Sequence, residues 1–181
     1  MRFAVRTLAL ALLAAACAYP AWAFESSAGL TTARNIFLNV VDHKGGSLDE
    51  AQRSFEALAG REPANPLYLS YLGACMALRG DAAWMPWKKM QFTEQGLEML
   101  DKALAMLNNP EPGRPMDFHD LLETKLVAAQ TFIQTPDSIF HRAAMGKRLL
   151  SEIRGAAQYA STNPVFRARV ESLNSHVKEN G

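Results

Sequence analysis

Between Pro63 and Asn109 apolar residues recur at steps of three and four, with one interruption after Gly80. That pattern predicts two helices folded back on each other as a hairpin. The run Leu67-Tyr68-Leu69-Ser70-Tyr71-Leu72-Gly73-Ala74 forms the first arm, and Trp84-Met85-Pro86-Trp87-Lys88-Lys89-Met90 forms the elbow. Nearly every other segment has the same helical period, and no stretch alternates as a half-buried strand would. The expected fold class is therefore all-α.

The local signals for helix ends agree. Ile36, Phe37, Val40 and Val41 mark one face of a first helix that Gly45-Gly46 ends, and Ser47-Leu48-Asp49-Glu50 has the form of a capping box. A second helix carries Leu48, Ala51, Phe55 and Leu58 inward and stops at Gly60 and Pro63. Asn65-Pro66 starts the third, with proline where its missing N–H costs nothing. Eight residues from Asn108 to Pro115 hold three prolines and a glycine, and read as a turn between hairpins. Asp117 caps a helix through about Ile133, one long helix runs from Pro136-Asp137-Ser138 through Ile153, and Asn163-Pro164 opens the last, with Phe166, Val170, Leu173 and Val177 inward.

Several of these residues resemble the tetratricopeptide family of helix-turn-helix repeats. Ala51-x3-Phe55 followed by Pro63 looks like the second half of such a repeat, and Leu72-Gly73 stands where a period of about 34 residues places the next Leu-Gly pair. Gly96-x3-Leu100-x2-Ala103-Leu104 looks like that repeat's second helix. Leu69 and Met76 replace the aromatic residues the family prefers, and the spacing from Gly73 to Gly96 exceeds the usual one by 11 residues. Eleven residues are about three helical turns, so a helix lengthened by that amount keeps its faces in phase. The stripe Trp87, Met90, Thr93, Leu97, Leu100, Leu104 and Leu107 then predicts a helix that starts at Pro86 and projects Trp84 to Met90 beyond its partner. The resemblance implies a short right-handed solenoid of stacked helix hairpins, whose concave surface docks a protein or peptide without catalysis.

The first 23 residues have the form of an export leader. Arg2 and Arg6 precede an apolar run from Leu8 to Cys17, and Ala21-Trp22-Ala23 offers small residues for cleavage before Phe24. That run is shorter than the roughly 20 residues of a membrane span. The expectation is a periplasmic or secreted domain spanning residues 24–181, with lipid attachment at Cys17 as the alternative. Removing Arg2 and Arg6 from the 19 basic residues leaves 17 against 18 acidic ones, a balance that points away from nucleic acid. Cys75 then has no partner for a disulfide and reads as a small buried hydrophobe.

Neither a zinc-protease His-Glu pattern, a paired CxxC, a phosphate loop nor a nucleophile elbow is present, so an enzyme, a metal or another cofactor is not expected. Asp117, His119, Asp120 and Glu123 form the nearest thing to a cluster, and cap and first-turn acids account for most of it. The candidate contact surface is aromatic and basic: Tyr68, Tyr71, Trp84, Trp87, Lys88 and Lys89. Residues of these types dominate interface hot spots. Three readings stay open for the tryptophan pair: core extension, a binding edge for a protein or peptide, and weak contact with a membrane surface. The function expected is an exported scaffold or assembly factor for an envelope complex or transporter. The alternative is a carrier holding a small apolar ligand between helices, lined by methionines such as Met85, Met90 and Met99. Basic residues from Ser138 to Arg169 and acidic ones from Gln91 to Glu123 further predict a bipolar surface.

Overall fold

The computed structural model describes residues 21–109 and 116–179, with side chains from residue 28 onward. The Cys17 alternative and most of the leader lie outside that range. Eight α-helices and no strand occur among the described residues. They are α1 (Ala21–Val41), α2 (Leu48–Arg61), α3 (Pro66–Ala82), α4 (Pro86–Asn108), α5 (Phe118–Gln134), α6 (Asp137–Phe140), α7 (Ala143–Gly155) and α8 (Pro164–Glu179).

The helix starts are set locally. The Ser47 hydroxyl accepts the Glu50 N–H at 3.3 Å, the Asn65 side chain accepts that of Leu67 at 3.1 Å, and Asp117 accepts that of His119 at 3.3 Å. Each satisfies a backbone donor that the first helical turn leaves unpaired. Between α1 and α2 the chain reverses through His43, Gly45 and Gly46, all with positive φ. Glycine reaches φ near +100° without strain, which is why two of them stand there.

Stacking then follows from close approach. Helix α3 packs against α2, α4 and α5, α1 lies on α2, α7 on α5, and α8 against both α5 and α7. The tightest contact is the antiparallel pair α3 and α4. A Cβ on Gly96 would sit 2.5 Å from the Gly73 carbonyl oxygen, and one on Gly73 would sit 2.7 Å from that of Gly96. The two backbones therefore touch, and no side chain fits between them. Where α2 meets α3, Phe55 and Tyr71 stack at 4.4 Å with planes 6° apart, and Phe37 from α1 stands edge-on to both. Cys75 is fully buried beside Ala74, and burial pushes its thiol up to about 12.

Two expectations change here. The long helix anticipated from Pro136 is two helices, α6 and α7, separated at His141, whose φ is 55°. The Asp137 carboxylate accepts the Ala143 N–H at 2.8 Å and so starts a new helix six residues on, while Arg142 is drawn into a bidentate pair with Asp101 of α4 at 3.0 and 2.7 Å. The stripe on α4 enters the core only from Thr93 onward. Gly80 of α3 faces Lys89 and Thr93, so the first turn of α4 overhangs the end of α3 and has nothing to bury against. Core extension is thereby removed for Trp87, which is 64% exposed.

Candidate functional site

A cleft and the projecting elbow lie on the surface, and an ion cluster is buried between the helices. The cleft measures about 540 Å³. Val40 and Val41 at the end of α1 form one wall, with Pro86, Lys89 and Met90 of α4 and Ile139 of α6 around it, and Ala77 and Thr131 belong to α3 and α5. Packing positions the opening: α3 and α5 lie side by side, and the ends of α1 and α4 and the short α6 stand around it. The Thr131 hydroxyl is bound to the Val127 carbonyl at 2.9 Å, and that of Thr135 to the Thr131 carbonyl at 2.7 Å. Polar recognition on α5 thus falls to the Gln130 and Gln134 amides, each able to donate and accept.

At the elbow Trp84 is 85% exposed, and Lys88, Lys89 and Met90 are exposed with it. The Lys88 ammonium lies 5.4 Å from the centre of the Phe92 ring, and that of Lys89 donates to the Asp81 carbonyl at 2.6 Å. Of the six residues expected in the contact surface, only Lys89 lines the cleft. Trp84, Trp87 and Lys88 lie on the surface outside it.

Tyr68 and Tyr71 are corrections. They are 4% and 0% exposed, because α3 is covered on three sides and its two tyrosines point into the stack. Tyr71 instead belongs to the ion cluster. Its hydroxyl donates to Glu123 Oε1 at 2.5 Å, and Arg34 grips the same carboxylate with Nε and Nη2, both at 2.7 Å. Arg169 Nη1 of α8 lies 3.5 Å from Oε1, and His119 Nδ1 lies 3.7 Å from Oε2. Four helices, α1, α3, α5 and α8, thus converge on one carboxylate that is 1% exposed. Burial and the adjacent Glu123 charge push the Tyr71 hydroxyl far above its ordinary range, so it remains a donor.

Donor atoms of His119, Asp120 and Glu123 lie within 4.8 Å of one another, the spacing of a metal site. Both oxygens of Glu123 are already held by Arg34, with Arg169 beside them, so the cluster opposes a further cation and serves to join helices. The signal for Glu123 was present in the sequence. It stands four residues before Val127 and three before Leu126, on the inward side of an apolar helix, where an acid needs buried cations.

Asp120 has its carboxyl raised above the usual carboxylate range, chiefly by burial and then by Glu123 and Asp117. An acid whose folded pKa lies above its unfolded value binds its proton more readily when folded. It therefore lowers stability above that pKa and the loss disappears as pH falls through it. Asp120→Asn is expected to raise the urea midpoint at pH 7, with the gap closing through the acidic range. A midpoint lowered at pH 7 would mean that the helix dipole outweighs burial at this position.

The expected bipolar surface is also reduced. Basic residues of the C-terminal run pair across helices, Arg142 with Asp101 at 2.7 Å, Arg154 with Glu171 at 3.4 Å and Arg169 with Glu123 at 3.5 Å. Lys125 of α5 pairs with Glu152 of α7 at 2.7 Å. None of the described helices is long and apolar enough to cross a membrane. No family model, curated protein or solved structure matches the chain.

Proposed function

We propose that the chain is an exported, non-catalytic docking module of tetratricopeptide type, whose cleft takes an extended segment of a partner protein in the cell envelope. The observation that carries this is the cleft itself, about 540 Å³, whose apolar lining is interrupted by the two glutamine amides and by His43, Asp81 and Lys89. Apolar walls supply affinity, and a few placed polar groups set the register of a bound backbone. Pairing of α3 with α4 and of α5 with α7, with α3 also on α5, is the neighbour pattern of stacked hairpins and supports the repeat reading. The carrier alternative needed a cavity beside Tyr71 and Trp87. Neither residue lines the cleft.

Selection from a random-peptide phage library on the immobilised protein provides the test. Peptides should be recovered that bind the wild type and lose at least about tenfold in affinity on Thr131→Trp, which fills the cleft from α5 and leaves the ion cluster untouched. Unchanged binding by a Thr131→Trp variant with a normal melt would place the docking surface elsewhere. Native mass spectrometry showing a bound mass of a few hundred daltons that leaves on denaturation would support the carrier instead.

A further inference from the structure

Beyond the cleft, the exposed elbow requires its own explanation. Trp84 and Trp87 are 85% and 64% exposed, three residues apart with Pro86 between them at the start of α4. Large aromatic side chains are seldom left so open on a folded chain unless they meet something. Three features of the elbow decide what. It projects: every residue from Pro86 to Gln91 is exposed and the turn overhangs α3, so Trp84, Trp87 and Lys88 stand at a tip outside the cleft. It is basic: Lys88 and Lys89 are its only charges, and no acid occurs between Asp81 and Glu94. It also abuts the cleft edge, since Pro86, Lys89 and Met90 belong to both.

From this geometry we infer that the elbow is a membrane-surface contact, seating Trp84 and Trp87 at the headgroup level of a bilayer with Lys88 and Lys89 on anionic phosphates. Indole is amphipathic and collects at the boundary between acyl chains and water, and lysine adds attraction to anionic lipid. A projecting tip reaches a plane ahead of the helices behind it. A protein partner would more naturally enter the concave cleft alongside. Charge complementarity selects anionic over zwitterionic lipid. The contact is weak and reversible, because two aromatic side chains and two cations are far less than a spanning helix. It would hold the cleft at the membrane surface, where a segment of an envelope protein can reach it.

The test is flotation of the protein recovered from its own envelope fraction with vesicles of phosphatidylethanolamine and phosphatidylglycerol, against vesicles of phosphatidylcholine alone. Every variant is compared with wild type in the same processed form, so any contribution of the leader cancels. Wild type is expected to float with the anionic vesicles and to be released by salt. Trp84→Ala with Trp87→Ala should weaken the partition by about tenfold or more. Lys88→Gln should weaken it about fivefold at low ionic strength, and by less as salt rises. Both variants alter exposed side chains, and a cooperative melt confirms that they fold. As a measurement that needs no elbow variant, brominated lipid should quench tryptophan fluorescence in a Trp22→Phe background, where Trp84 and Trp87 are the remaining tryptophans. Equal flotation by the double tryptophan variant overturns the assignment. So does failure of the wild type to float, and a concentration-dependent mass abolished by the same variant would then assign the elbow to a second copy of the chain.

Discussion

Glu123→Leu is expected to lower the unfolding free energy by about 3–5 kcal/mol, because it removes the acid on which a buried ion cluster is built. The carboxylate is 1% exposed and receives Arg34, Arg169 and the Tyr71 hydroxyl from three different helices. Removing it takes from both guanidinia, 23% and 19% exposed, the carboxylate they share. It also strands a buried phenol donor. The loss should not be repaired by matching volume, since the deficit is electrostatic. Replacing the three ions, with Arg34→Met and Arg169→Met added to Glu123→Leu, is expected to recover much of the stability, because an apolar cluster of similar size no longer carries their desolvation, and the stranded Tyr71 hydroxyl accounts for the remaining deficit. Urea denaturation of the single and triple variants separates the two ideas. A triple variant as unstable as the single one would mean that the cluster fixes helix orientation in a way apolar packing cannot replace.

Gly96→Ala is the second large effect, and its direction runs against helix propensity. Alanine is the better helix former by about 1 kcal/mol. At this position its Cβ would meet the Gly73 oxygen at 2.5 Å and the Ala77 nitrogen at 2.7 Å, both backbone atoms that cannot rotate away. Helices α3 and α4 would have to separate, and since α3 is covered by three neighbours the strain spreads to the core. A net destabilisation of about 2 kcal/mol or more is expected, in the upper range for overpacking. Gly60→Ala is the control: nothing lies within 4 Å of a Cβ there, so the propensity gain should appear as a modest stabilisation. If both substitutions stabilised the protein, α3 and α4 would not be in backbone contact at Gly73 and Gly96.

These two sites also separate what was readable in the chain from what was not. Gly73 and Gly96 could be noticed as glycines inside two apolar helices, yet their spacing exceeds by 11 residues the one the family resemblance implies. That they touch is known only from the packing of α3 on α4. Glu123 could be noticed as an acid on an apolar face, yet its partners come from residues 34, 71 and 169. No local signal joins positions so far apart. Tyr71 shows the same limit in reverse, since its i, i+3 relation with Tyr68 is identical whether that face of α3 meets water or three other helices.

Helix type, the caps at Ser47, Asn65 and Asp117 and the start of α4 at Pro86 were determined by the sequence alone. All of them depend on interactions within a few residues or on a period that a single helix carries by itself. Which aromatic residues are buried, where the chain breaks between α6 and α7, how the charges pair and where the cleft opens were decided only in the tertiary structure. Each depends on which helix faces which, and α3 acquires an inside only when α2, α4 and α5 have closed around it.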